Sequence, residues 1–180
     1  MEPEFYVPII PMILVNGSEG IGTGWSSNIP SFNPLEIIDN IKIMIENFKS
    51  QKDLKEGLID LRPWYRGYTG KIENLSENRY VSRGRYNVID ESIVEITELP
   101  VKVWTDKYKE FLESVIIDSH KESKGKKKEY IRSYTTQCTD SKIHFRLVFN
   151  PEDLENYTAN LEENNEGQND FEKLFKLTGK

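Results

Sequence analysis

Apolar side chains recur every three or four positions between residues 34 and 49, the spacing of one face of a helix. The members of this stripe are Leu35, Ile38, Ile41, Ile45 and Phe48. Asn33 precedes the stripe as an N-cap residue, Pro34 suits the first helical position, and Glu36 places an acid in the first turn. The pattern predicts a helix from about 34 to 49.

The second half of the chain alternates short β-type runs with helical stripes. Strands are predicted over 69–75, 79–89, 92–99 and 143–149. One helix is predicted from Thr105, with an apolar stripe from Tyr108 to Ile116, and another opens at Asn150 and Pro151. Strands with helices on one face indicate an α+β fold, a two-layer arrangement built on an antiparallel sheet.

The chain ahead of the first helix has a different pattern. Residues 6–15 are apolar but contain Pro8 and Pro11, which predicts an extended segment or an edge strand, and a glycine-rich loop follows it. The polar stretch 50–57 is the best candidate for a boundary. We therefore expect two domains, 1–57 and 58–180.

The glycine-rich loop is the most informative segment, because four glycines within positions 17–24 surround one large apolar residue, Ile21. Glycines permit tight turns and a close approach to a ligand, and they leave the β-branched Ile21 without neighbours that could cover it. One interpretation is an exposed wedge of the kind that enters the minor groove and bends duplex DNA. The plain alternative is a buried turn whose Ile21 fills a core.

A third interpretation is a structural or phosphate-binding module whose glycines cradle a nucleotide. The pattern fits it poorly. A Walker loop requires Lys and then Ser or Thr after its last glycine, whereas Gly22 is followed by Thr23 and Gly24. The dinucleotide fingerprint would need a glycine where Trp25 stands.

Composition limits the remaining classes of function. The net charge is −6, and residues 1–60 carry 4 basic and 9 acidic side chains, so we expect only weak, salt-sensitive DNA binding by this chain. One cysteine, Cys138, excludes an internal disulfide, and with His120 and His144 as the two histidines a metal site is not expected. The sequence also lacks a membrane-spanning run and a signal-peptide pattern.

Several longer motifs resemble eukaryotic type IIA DNA topoisomerase (topoisomerase II). The resemblance is carried by residues 2–26 (EPEFYVPIIPMILVNGSEGIGTGWS), 29–34 (IPSFNP), 63–73 (PWYRGYTGKIE) and 95–105 (EITELPVKVWT), and weaker similarity reaches residues 175–177. The sequence from Gly22 to Trp25 resembles that of the eukaryotic enzymes rather than that of the bacterial gyrase type.

This resemblance implies a part of an enzyme that cuts both strands of one duplex, passes a second duplex through the gap and reseals it. Residues 1–57 would be the DNA-facing segment and 58–180 a tower-like domain. The family's intercalating isoleucine matches Ile21. The DNA-binding candidates of the loop are Asn16, Gly20, Ile21, Gly22, Thr23 and Trp25. Trp25 is expected to support the loop from beneath, and Arg66 and Lys71 are minor candidates for DNA contact.

The resemblance also implies what this chain does not supply. The family's nucleophilic tyrosine lies N-terminal to the Glu2-Pro3-Glu4 motif, so we expect a fragment that has no catalytic residue and is inactive alone. ATP and magnesium would act in the intact enzyme, a nuclear homodimer that binds double-stranded DNA and no membrane, and none of these cofactors would bind this fragment. The basic run 121–132 has no residue-by-residue match.

Overall fold

The computed structural model describes residue 4 and residues 7–76, 79–120, 131–139, 141–158 and 169–179, with the side chains of 117–120 excepted. The chain divides into two compact units, residues 1–67 and 68–180. Hydrogen bonds tie residues beyond position 57 to the first unit. The Asn40 amide donates to the Ile59 carbonyl at 2.9 Å and accepts from the Ile59 N–H at 2.7 Å. The Trp64 N–H donates to the Ser31 carbonyl at 2.8 Å.

The first unit contains two helices and a β-hairpin. Its elements are α1 (Met12–Asn16), β1 (Ser18–Gly20), β2 (Ser27–Ile29) and α2 (Pro34–Lys49). The predicted helix over 34–49 is confirmed, and the Asn33 side chain accepts a hydrogen bond from the Leu35 N–H at 3.0 Å, as an N-cap does.

The expectation of an extended segment over 6–15 is wrong for its last residues. Met12–Asn16 is helical, with Pro11 as its N-cap residue and the Leu14 N–H donating to the Pro11 carbonyl at 3.0 Å. Proline is compatible with a helix start, because the N–H groups of the first turn have no partner within the helix. Pro11 therefore initiates a helix here instead of keeping the segment extended.

The predicted stripe of α2 does not coincide with its buried face. Ile37 and Asn40 are the buried residues of this helix, whereas Leu35, Ile45 and Phe48 are exposed. The position of Asn40 explains the difference, because its amide hydrogen bonds with the backbone of Ile59 and turns that face toward the returning chain. The spacing of apolar residues cannot predict the burial of a polar side chain, which depends on its hydrogen bonds with a distant backbone.

The second unit contains two antiparallel sheets and three helices among its described residues. The elements are β3 (Lys71–Ser76), β4 (Arg79–Arg83), β5 (Arg85–Asp90), β6 (Ile93–Glu98), α3 (Thr105–His120), β7 (Ser133–Thr136), β8 (Phe145–Val148), α4 (Pro151–Thr158), α5 (Asp170–Leu174) and β9 (Thr178–Gly179). One sheet has the order β3-β4-β9 and the other β5-β6-β8-β7. The α+β class is confirmed.

Two features of this unit differ from the sequence prediction. The run 79–89 is not one strand, because the chain leaves one sheet at Gly84 and enters the other. A Cβ on Gly84 would lie 2.6 Å from the Glu98 carbonyl oxygen, so this crossing requires glycine. Helix α5 and the short strands β7 and β9 were not predicted. The basic residues 121–130 lie outside the described residues, as do residues 159–168.

The second unit contains the main hydrophobic core. Phe145, Leu147 and Phe149 are buried while Arg146 is exposed, so side chains alternate between core and solvent here, and the strand predicted over 143–149 is confirmed as β8. The same cluster includes Val94, Ile96, Leu99, Tyr108, Leu112, Ile131, Leu154, Phe171, Phe175 and Leu177. Within the described part of the chain, no helix is long and apolar enough to cross a membrane.

Candidate nucleic-acid interface

The glycine-rich segment folds as an antiparallel hairpin. Strand β1 pairs with β2 in the register Ser18↔Ile29, Glu19↔Asn28 and Gly20↔Ser27. Residues 21–26 form the connecting loop, which we call the hairpin tip. At the base of the hairpin, the Ser31 hydroxyl donates to the Asn16 carbonyl at 3.1 Å and the Phe32 N–H donates to the Leu14 carbonyl at 2.8 Å. These bonds attach the hairpin to the segment that leads into α2.

Glycines occupy the positions where the two sides of the hairpin approach most closely. Gly17 has a φ of 69°, and a Cβ there would lie 2.6 Å from the Ile29 carbonyl oxygen. A Cβ on Gly22 would lie 2.6 Å from the Trp25 carbonyl oxygen, whereas one on Gly24 would meet nothing within 4 Å. Gly17 and Gly22 therefore have a structural requirement for glycine that Gly24 lacks.

Ile21 begins the hairpin tip, and 94 % of its surface is exposed. The structure thus excludes the interpretation in which Ile21 fills a core, since a core isoleucine such as Ile37 is 2 % exposed. A stiff aliphatic side chain in this position projects into solvent from a loop whose neighbours, Gly20 and Gly22, carry no side chain.

Trp25 is located on the opposite side of the same tip and is 93 % exposed. The expectation that Trp25 packs beneath the loop is therefore wrong: its indole covers no other part of the described chain. The backbone of Gly22 lies so close to the Trp25 carbonyl that a Cβ on residue 22 would overlap it.

The six predicted loop residues all belong to the hairpin or its base, so the fold brings them together. Asn16 ends α1, Gly20 ends β1, and the other four lie in the tip. Arg66 is exposed in the first unit. Lys71 belongs to β3 of the second unit, where its ammonium group pairs with the Glu73 carboxylate. The fold therefore places the two minor candidates on separate units.

Sequence reasoning missed Gly17, which is not among the predicted site residues but has the one positive φ within the hairpin and the closest contact at its base. The Asn16-Gly17 pair is a turn signal that could have identified it.

The hairpin supplies shape rather than charge. Residues 16–31 contain no lysine or arginine, and Glu19 is their one ionisable side chain. The loop is followed by β2 rather than by a helix, so it lacks the helix N-terminus on which phosphate-cradling glycine loops depend. Among the described residues, no three His, Cys, Asp or Glu side chains are grouped to hold a metal ion.

Comparison with known proteins agrees with this geometry. The family model for the A-type subunit of DNA gyrase/topoisomerase IV matches residues 1–176. The chain is 41 % identical over 177 residues to DNA topoisomerase 2 top-2 of Caenorhabditis elegans, covering 98 % of this chain and 10 % of that protein. It is 44 % identical over 154 residues to DNA topoisomerase 2 of Saccharomyces cerevisiae, covering 86 % of this chain and 10 % of the relative.

A solved structure has the same fold. The Plasmodium falciparum topoisomerase II DNA-binding, cleavage and re-ligation domain aligns with a TM-score of 0.78 and 40 % identity, over 99 % of this chain and 21 % of that one. The chain thus spans about a tenth of the length of the two curated relatives described above. It belongs to the DNA gyrase/topoisomerase IV family, with eukaryotic type II DNA topoisomerases as its relatives.

Proposed function

We propose that this chain is a DNA-bending segment of a type II DNA topoisomerase and that Ile21 is its wedge. The observation that carries the proposal is the 94 % exposure of Ile21 at the tip of a hairpin whose geometry depends on glycine. The side chain would enter the minor groove and separate two base pairs, with Asn16, Gly20, Gly22 and Thr23 lining the backbone that approaches the duplex.

The energetics favour a rigid tip. Separating one base step costs about a few kcal/mol of stacking, and bending a duplex of this kind costs on the order of 1–6 kcal/mol. A flexible loop would add its own ordering entropy to that cost. The hairpin reduces this entropy cost, because the pairing of β1 with β2 holds both ends of the tip in place before DNA binds. Contacts along the bent duplex would offset the free-energy cost of unstacking and bending.

Positive charge for the duplex would come from other parts of the complete enzyme. The hairpin has no lysine or arginine, and Lys71 is engaged with Glu73. Because phosphate neutralisation supplies most non-specific affinity, this segment would shape a duplex that other surfaces hold. Arg66, which is exposed, remains a minor candidate for a phosphate contact.

The complete enzyme would relax and decatenate DNA by passing one duplex through a double-strand break in another. We assign no catalytic residue and no metal to this chain. ATP and magnesium would act elsewhere in a nuclear homodimer. We expect this chain alone not to cleave DNA.

Replacing Ile21 by alanine tests the proposal in a complete topoisomerase that contains this chain. Bending is measured by energy transfer between dyes at the two ends of a short duplex, and folding by thermal melting. We expect Ile21→Ala to abolish most of the bend and to leave melting unchanged, because the side chain contacts no core.

Ile37→Ala is the matched control, since Ile37 is a buried isoleucine of the same unit. It should destabilise the fold by about 2–5 kcal/mol, the usual loss for a large-to-small core substitution. A bend that survives Ile21→Ala would contradict the proposal, and so would a core-like loss of stability in that variant.

Nucleotide titration of the chain tests the alternative in which the glycines cradle a nucleotide. It should leave the amide signals of the hairpin tip unchanged.

A further inference from the structure

The geometry of the hairpin tip points to Trp25 as a second DNA-contacting side chain, one that packs on the deoxyribose wall of the minor groove beside the base step opened by Ile21. This inference rests on the proposed function and adds a second contact to it. The partner that Trp25 binds is duplex DNA. The indole would contact the apolar edge of the sugars and not the bases.

The first observation is the pairing of two large exposed apolar side chains at one tip. Ile21 and Trp25 are 94 % and 93 % exposed, and only Gly22, Thr23 and Gly24 separate them in the loop. The pairing of Gly20 with Ser27 closes the loop, and the Gly22 backbone lies close to the Trp25 carbonyl. A duplex that receives Ile21 at this tip would therefore also contact Trp25.

The second observation is that the hairpin offers a duplex no cationic side chain. Affinity at the tip must then come from apolar contact and backbone groups. An indole is large and rigid, so it gains contact area at a small cost in conformational entropy. Sugar contacts carry no direct sequence information, so the contribution of Trp25 should be similar across duplexes of different sequence.

The experiment compares Trp25→Ala, Trp25→Phe and Ile21→Ala in a complete topoisomerase containing this chain. Phe48→Ala is the control, because Phe48 is also an exposed aromatic residue of the first unit, at 75 %, but lies on α2 and outside the motifs that resemble the topoisomerases. DNA affinity and bending are measured on duplexes of two unrelated sequences, and thermal melting is measured without DNA.

We expect Trp25→Ala to weaken binding about tenfold on both duplexes and to reduce the bent fraction, because it removes the large apolar surface of the indole. Trp25→Phe should stay within about threefold of the parent, because it retains an apolar ring. Phe48→Ala should leave affinity and bending unchanged, and the melting temperature without DNA should not change in any Trp25 variant.

Two outcomes overturn this inference while leaving the wedge in place. In the first, Ile21→Ala abolishes bending but Trp25→Ala changes neither affinity nor bending. In the second, Trp25→Ala lowers the melting temperature without DNA, which would mean that another part of the enzyme covers the indole. If Ile21→Ala itself leaves bending intact, the proposed function fails first and the inference fails with it.

Discussion

Two glycines of the hairpin tip have similar sequence contexts but different structural requirements. Gly22 and Gly24 both flank Thr23, yet a Cβ on Gly22 would overlap the Trp25 carbonyl oxygen and one on Gly24 would meet open space. We expect Gly22→Ala to displace the two sides of the tip and to reduce DNA bending by a complete topoisomerase. Gly24→Ala should retain the bend, and both variants should melt normally because neither residue is in a core.

Energy-transfer measurement of the bend and amide chemical shifts of residues 20–27 check this prediction. The shifts should change in Gly22→Ala well beyond the substituted residue and remain local in Gly24→Ala. Equal behaviour of the two variants would mean that the backbone approach seen at Gly22 does not define the active shape of the tip.

At the site, sequence alone identified the wedge candidate but not its surroundings. Ile21 could be singled out because the glycines around it leave nothing to cover it. The exposure of Trp25 could not, because it depends on how β1 and β2 pair, and that register is a contact between segments rather than a property of either one. Residue composition is the same whether an indole lies under a loop or outside it.

At the scale of elements, a buried ion-pair network connects two strands and a helix of the second unit. The Arg83 guanidinium of β4 pairs with Glu73 of β3 at 2.7 Å and with Glu172 of α5 at 2.8 Å. A hydrogen bond from Lys71, with the nearby charge of Arg83, lowers the pKa of Glu73 against the opposing effect of burial. Glu172 also completes the capping box of α5 with Asn169.

We expect Glu172→Gln to destabilise the chain by about 3 kcal/mol, because it removes one of the two carboxylates that pair with the Arg83 guanidinium, while a glutamine can still complete the capping box of α5. Asp106→Asn is the control: its ion pair with Lys109 is exposed, and such pairs contribute about 0–1 kcal/mol. Urea denaturation of the 180-residue chain measures both variants. Equal losses in the two would show that burial does not strengthen the Arg83 network.

The elements that sequence predicted well are those with local signals. Helix α2 has an N-cap residue, a first-turn proline and a periodic stripe, and β8 has strict alternation. Helix α5 also has a local signal, its capping box. It is short and follows a long polar run, so its sequence pattern alone does not predict a helix. The break at Gly84 depends on the distant Glu98 carbonyl, a contact that no local pattern contains.

At the scale of the whole molecule, the two units differ in how much apolar surface they bury. The second unit has an extensive core, whereas Ile37 is the one buried hydrophobic residue among those described in the first. Leu35 and Phe48 of α2 stay exposed, as do both apolar residues of the hairpin tip. Since hydrophobic burial is the dominant stabilising contribution, the first unit gains less of it from this chain than the second does.

The charge of the chain leads to a prediction about its binding to DNA in isolation. The net charge is −6, and residues 1–60, which include the wedge, carry 4 basic against 9 acidic side chains. Binding of the isolated chain to duplex DNA should therefore release few counterions. We expect the slope of log affinity against log salt concentration to be shallower than about −2, the value for roughly two phosphate contacts, and the affinity itself to be weak.

Fluorescence anisotropy of a labelled duplex across a salt series measures this slope. A complete topoisomerase serves as the comparison and should give a much steeper dependence, because its other surfaces would neutralise the phosphates. A slope near about −6 for the isolated chain would contradict the division of labour proposed above, since it would require this acidic chain to hold the phosphate backbone itself. Equal slopes for Ile21→Ala and the parent chain are also expected, because removing an uncharged wedge changes the bend and releases no counterion.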